Sequence, residues 1–193
     1  MHAVKTNSRS IMDFLHESFR NAVLLILSLD GEVYHAVWTS ISVSIASALF
    51  ASAIGIPLGL FIAISDFPLK RAVITVLSTL MALPTVVIGL VVYGIVSRQG
   101  PLGSMGLLFS PSAMIIGLTI LALPIITNYT LSSIKGSDAR ILPTALTLGA
   151  TSIQANLKLI SEVRFGIMAA VIAGFGRVIG EVGRAMMLGG NIR

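Results

Sequence analysis

Residues 36–65 read AVWTSISVSIASALFASAIGIPLGLFIAIS, thirty positions without an Asp, Glu, Lys or Arg. A helix crosses a hydrocarbon core of about 30 Å with about 20 apolar residues. The stretch therefore spans a membrane, and at about 1.5 Å per residue it has length to spare for tilting or running past the core. Two more charge-free windows follow, AVITVLSTLMALPTVVIGLVVYGIVS over 72–97 and AMIIGLTILALPIITNYTLSSI over 113–134. Across the 193 residues, 55% are hydrophobic and 11% charged, with a mean hydropathy of +0.95. A soluble domain carries about 25% charged residues. The composition makes this an integral membrane protein with several spans and excludes a soluble enzyme or a secreted domain.

The rest of the composition narrows the chemistry. No cysteine is present, so disulfides, thiolate metal sites and redox pairs are excluded. His2, His16 and His35 all precede the first span without ligand spacing, and no metal centre is expected. The pattern G-x-x-x-x-G-K-[ST] is absent, so the chain is not expected to hydrolyse ATP itself. The net charge of +5 acts mainly through topology, and no nucleic-acid partner is implied.

Residues 1–35 form a distinct N-terminal segment with seven charges. From Ser10 to Leu29, apolar Phe14, Leu15, Phe19, Val23, Leu24 and Ile26 alternate with Asp13, Glu17, Arg20 and Asn21. That spacing suits an amphipathic helix lying in the headgroup plane, with a distorted extra span as the second reading. The apolar run Ala22–Leu27 is short and lacks a small-x-small cleavage pattern, which disfavours a signal peptide.

Inside the first span, Gly55-Ile-Pro-Leu-Gly59 predicts close helix packing and a kink. The second and third spans each carry Ala-Leu-Pro near the middle, at 82–84 and 122–124. A mid-helix proline lacks the N–H that bonds four residues back, so kinks at Pro84 and Pro124 should free the carbonyls of Leu80 and Ile120. Hydroxyls and amides cluster nearby: Ser78, Thr79 and Thr85 in one span, Thr119, Thr127 and Asn128 in the other. Two readings follow, ordinary kinks with satisfied polar groups or faces that line a polar path.

Loop residues 98–111 carry one basic residue, whereas 135–164 carry four basic and two acidic residues. The positive-inside rule places 135–164 and Lys70-Arg71 in the cytoplasm and 98–112 outside. A fourth hydrophobic segment, 165–192, contains Arg177, Glu181 and Arg184, which share a helical face. Ionised groups at membrane depth face the protein interior. They form either an ion-pair lock between helices or a positive charge facing a wet path for an anion.

The segment 142–167 reads LPTALTLGATSIQANLKLISEVRFGI. Its core, Ala145-Leu-Thr-Leu-Gly149-Ala150-Thr151, with Gly166-Ile167 further on, resembles the cytoplasmic EAA loop of bacterial ABC importer permeases. Gly180-Glu181-Val-Gly183 and Gly189-Gly190-Asn191-Ile192 are similar to the G-E-x-G…G-N-I stretch of permeases for tungstate, molybdate and sulfate. Ser97-Arg-Gln-Gly-Pro-Leu-Gly103, preceded by Pro84-Thr85-Val-Val-Ile-Gly89, looks most like the tungstate type. The resemblance covers about 36–193. Three departures stand out: Pro143 occupies the place of the loop's glutamate and should weaken or redirect the coupling helix, Ser161-Glu162 replaces Leu-Pro, and Arg184 replaces a small residue.

The resemblance implies an all-α type I ABC importer transmembrane domain over 36–193, with four or five spans plus the N-terminal amphipathic helix. Because family members continue beyond the position of Arg193, one or more C-terminal spans are expected to be missing. It implies a multi-pass subunit of a bacterial or archaeal inner membrane that translocates an oxyanion, foremost tungstate. A homodimer of such permeases would take the anion from an extracytoplasmic binding protein. ATP and Mg would sit on a separate ATP-binding subunit that docks on residues 143–157, with Pro143, Ala145, Leu148, Gly149 and Ala150 as coupling residues. Pro84, Thr85, Pro124, Thr127, Asn128, Arg177, Glu181 and Arg184 are the candidates for the translocation path. The competing expectation is an ATP-independent anion channel or secondary carrier. An intramembrane enzyme is disfavoured, because no His or Asp lies in the spans.

Overall fold

The structure, a computed structural model, describes Glu17, Ser18, Arg20, Leu24 and residues 31–189 apart from 102 and 107–109, with the side chains of 32, 105 and 183–189 excluded. The amphipathic helix expected over Ser10–Leu29 falls outside this set except for those first four residues, which are helical. From Gly31 onward the described residues form seven α-helices and one 3-10 turn, without a strand. The chain divides into two compact units, Met1–Ile41 and Ser42–Arg193. In the first, Tyr34, Val37 and Trp38 are exposed, a composition typical of the membrane–water boundary.

Helix α1 (Gly31–Ile64) starts five residues earlier than the charge-free window. In the larger unit it buries Val43, Ser44, Ser47, Ala48, Ala51 and Ile62, a three-and-four spacing that marks one face. Helix α4 (Pro111–Lys135) is the central element. Ser110 caps its start by accepting a hydrogen bond from the Ala113 amide, with Pro111 at the first turn where no N–H is needed. Pro124 lies inside this helix, which runs on to Lys135. Leu121, Ala122, Ile125, Ile126, Thr127, Thr130, Leu131 and Ile134 are buried around much of its circumference.

The second span departs from expectation. Residues 72–97 form two helices, α2 (Lys70–Leu80) and α3 (Thr85–Val96), which meet at 102° rather than as one kinked helix. The Ala82 and Leu83 amides bond back to Thr79 and Leu80 in a tight turn, and Pro84 then turns extended with ψ 136°. The Leu80 carbonyl is thus satisfied by Leu83, and Pro84 becomes the N-cap of α3. A proline there costs little, since an N-cap amide makes no intrahelical bond. Among the described residues, three helical stretches are long and apolar enough to cross a membrane: Val33–Ile64, Pro111–Lys135 and Arg164–Val182. The bent pair supplies a fourth span if it counts as one.

Helices α5 (Ile141–Thr147), α6 (Ser152–Glu162) and α7 (Arg164–Gly189) complete the fold. Ala51, Ala122, Ile126 and Val178 join α1, α4 and α7, while Ile88, Val92, Val96 and Leu121 join α3 to α4. A third cluster, Ile134, Leu159, Val163 and Ile167, packs with Ala63, Ile64 and Ile141. It gathers the end of α1, the end of α4, the α5–α6 pair and the start of α7. Residues 135–164 and the residues leading to Lys70 and Arg71 therefore share one end of the bundle, the basic end. Elsewhere Phe50, Phe61, Val86, Leu90 and Ile172 point outward, an apolar exterior that suits lipid.

Candidate functional site

The first region of interest is the loop at the basic end. Asp138 holds its opening turn: its carboxylate accepts from the Arg140 amide at 2.9 Å and pairs with Arg140 Nη2 at 3.0 Å. The Arg140 side chain first, and its amide second, hold the Asp138 carboxyl below the usual aspartate value. Pro143 was expected to disturb the helix start. It sits instead in the first turn of α5, where its missing N–H belongs to the four amides that have no intrahelical acceptor, so the helix forms from Ile141.

Gly149 ends α5 with φ +86°. The Ala150 amide donates to Ala145 O at 3.1 Å and the Gly149 amide to Leu146 O at 3.0 Å, the paired bonds of a Schellman cap. A Cβ at Gly149 would meet nothing within 4 Å, so the requirement is for left-handed backbone and not for space. Thr151 then opens α6 with a capping box: Thr151 Oγ1 accepts from the Gln154 amide, and Gln154 Oε1 accepts from the Thr151 amide. The T-x-x-Q spacing is a helix-start signature in the sequence itself, and the loop holds a second helix after the one with Pro143 in its first turn. Helix α6 buries Ala155 and Leu159. Its outer face and the cap between the helices present Leu148 at 81% exposure and Ile153 at 73%, with Leu146 and Leu157 also exposed. Ala145 and Ala150 are half-buried beneath them.

The second region lies where α3 begins beside α7. Arg177 Nη1 is 3.3 Å from Glu181 Oε1, and Arg177 Nη2 donates to Thr85 Oγ1 at 3.4 Å. The Glu181 side chain is 7% exposed and that of Arg177 33%. Burial of a carboxylate is tolerable only with such a partner, and the i,i+4 spacing on α7 supplies it. Thr85 and Glu181 also line a groove of about 340 Å³ between α3 and α4, whose other walls are mainly apolar, including Ile88, Val92, Met114 and Leu121.

The candidate path residues thus separate. Thr85, Arg177 and Glu181 come together, with Pro84 immediately before Thr85 as the helix cap. Pro124 and Thr127 are buried within the bundle. Thr127 Oγ1 lies under Gly55 of α1 and has no hydrogen-bond partner among the described residues. Asn128 donates to Ser78 Oγ and to Met81 Sδ, both at 3.1 Å, tying α4 to α2 and to the turn beyond it. The side chain of Arg184 lies outside the described residues. Sequence spacing gave the Arg177–Glu181 pair, but not its link to Thr85, 92 positions away.

The chain is 41% identical over 182 residues to the tungstate uptake system permease protein TupB of Peptoclostridium acidaminophilum, covering 94% of this chain and 80% of that protein. The chain belongs to the ABC transporter permeases, in the branch of tungstate, molybdate and sulfate uptake. The permease is also 42% identical to a probable anion ABC transporter permease protein of Haloferax volcanii, over 79% of this chain and 66% of that one. To TupB of Campylobacter jejuni it is 35% identical, over 96% of this chain and 77% of that one. No family model matches the chain. The permease is a multi-pass cell-membrane subunit of an ABC-type oxyanion importer.

Proposed function

We propose that the permease carries tungstate across the membrane and is driven by a separate ATP-binding subunit. The single observation behind this is 41% identity, over 94% of the chain, to a permease named for tungstate uptake. The loop geometry supports the coupling part of the reading. A pair of short helices at the basic end offers exposed Leu146, Leu148, Ile153 and Leu157 on a rigid, doubly capped turn. Such a surface suits a hydrophobic groove on a partner, and Pro143, Ala145, Leu148, Gly149 and Ala150 are its proposed coupling residues. ATP and Mg bind the partner. An extracytoplasmic protein delivers the anion, and two permease copies enclose the path.

The proposed path passes Thr85, Arg177 and Glu181, the cluster in which a cation, a hydroxyl and a helix start converge. Pro84, and Pro124, Thr127 and Asn128 on α4, act as supports that set helix positions, and Arg184 joins the path group from sequence position alone. The bend at Pro84 is the proposed hinge for alternating access.

The test is purification of the permease from its native membrane in mild detergent, followed by uptake from vesicles. A stoichiometric ATPase subunit, and uptake of tungstate that needs ATP and resists competition by sulfate, are expected. Tungstate flux without ATP or a partner would instead support an anion channel or secondary carrier.

A further inference from the structure

We propose that Glu181 is a built-in competitor of the transported anion for Arg177, which makes the permease hold its substrate only transiently. The inference rests on the reading above that the anion passes Arg177. Beyond Arg164, the charged residues of α7 are Arg177, Glu181 and Arg184, and the first two form an ion pair at 3.3 Å. The two partners differ in access: Glu181 is buried at 7% exposure, whereas Arg177 keeps a third of its side chain exposed. The Arg177 side chain is therefore open to an arriving anion, whereas the carboxylate has no exit to solvent.

The guanidinium is held on two sides. Nη1 faces Glu181 and Nη2 faces Thr85, while the buried Nε–H has no acceptor among the described residues. An arriving dianion finds a fixed donor array, as oxyanion recognition by arginine requires. It also meets a buried negative charge one guanidinium away, and two like charges at that range in a low-dielectric setting repel strongly. Conduction past a site needs binding that is favourable enough to enter and weak enough to leave. Arg177 supplies the first property and Glu181 the second. A plain structural lock would need neither the exposed flank of Arg177 nor the bond to Thr85 on another helix.

The experiment uses the permease in complex with its ATPase subunit. Tungstate retention is read by equilibrium dialysis without nucleotide, and uptake is read in proteoliposomes with saturating binding protein. Glu181→Gln is expected to retain tungstate at concentrations about tenfold lower than the unaltered complex, while its maximal uptake falls and ATP hydrolysis continues. Glu181→Asp, which keeps the charge, should behave as the unaltered protein, and Arg177→Gln should neither retain nor transport. Unchanged retention in Glu181→Gln, with Arg177→Gln inactive, overturns the competitor role alone. Normal uptake by Arg177→Gln overturns the path reading itself. Should Glu181→Gln be lost from the membrane, the swap of Arg177→Glu with Glu181→Arg keeps an ion pair but buries the cation. Restored uptake in the swap would overturn the proposal, and stable protein without uptake would support it.

Discussion

Gly166 of α7 lies so close to Ser133 of α4 that a Cβ on the glycine would come 2.7 Å from the Ser133 Cβ. Two turns further along α7, a Cβ on Gly174 would come 2.6 Å from Ile126 Cγ1, and Ala170 between them is fully buried. Helices in lipid associate through this kind of close approach, because apolar side chains gain little by leaving a solvent as apolar as themselves. Gly166→Ala should therefore destabilise the detergent-solubilised permease by about 1–3 kcal/mol through overpacking, and Ser133→Gly should recover part of the loss. Gly176 on the same helix meets open space, so Gly176→Ala should be neutral or stabilising by helix propensity. Equal losses in thermal unfolding for both alanine variants would rule out the α4–α7 seam as the cause.

The α1–α4 seam predicts a ranking. A Cβ at Gly59 would lie 2.8 Å from the Thr127 carbonyl oxygen and 2.9 Å from Thr130 Cβ, whereas one at Gly55 would lie 3.1 Å from the Thr127 hydroxyl. Backbone cannot swing aside, and a threonine side chain has some freedom. Gly59→Ala should lower the melting temperature more than Gly55→Ala, with the difference reaching about 1 kcal/mol. The reverse order would mean that the helices separate along the Gly59 end.

Substitutions at Gly149 should sort by backbone and not by size. With φ at +86° and no atom within 4 Å of a built Cβ, Ala and Leu should each cost about 1–2 kcal/mol locally and reduce ATP-driven uptake alike. Asn, which tolerates the left-handed region, should retain most uptake. The readout is uptake normalised to permease in the membrane. A Leu variant far worse than Ala would point to a crowded interface at this residue instead.

Thr151→Ala removes one half of the α6 capping box. About 1 kcal/mol of helix-end stability should go with it, a factor of about 5 in local opening. Hydrogen exchange at amides 152–155 should accelerate by that factor while those within α4 stay unchanged. Uniform acceleration across the permease would show that the cap acts on global stability.

Much of the architecture was legible in the chain. The charge-free windows at 36–65 and 113–134 became continuous helices, because charge in a hydrocarbon core is costly and the backbone must satisfy its own hydrogen bonds. Gly55 and Gly59 marked a close helix contact, and they touch α4. The basic residues near 70 and over 135–164 indicated one shared end, which the cluster around Ile134 and Leu159 assembles. The i,i+4 spacing of Arg177 and Glu181 fixed their pairing, since a helix places such residues one above the other.

Tertiary structure decided the rest. Periodicity could not distinguish a kink from a break at Pro84, since both start from the same missing N–H; the 102° turn depends on what α2 and α3 pack against. Hydroxyls near a proline look alike in sequence, yet Thr85 meets Arg177, Thr127 is sealed under Gly55, and Asn128 reaches Ser78. Local interactions extend over three or four residues and are written in the chain as patterns. The link from Thr85 to Arg177 spans 92 positions, and only the packing of α3 and α7 against α4 brings its ends together.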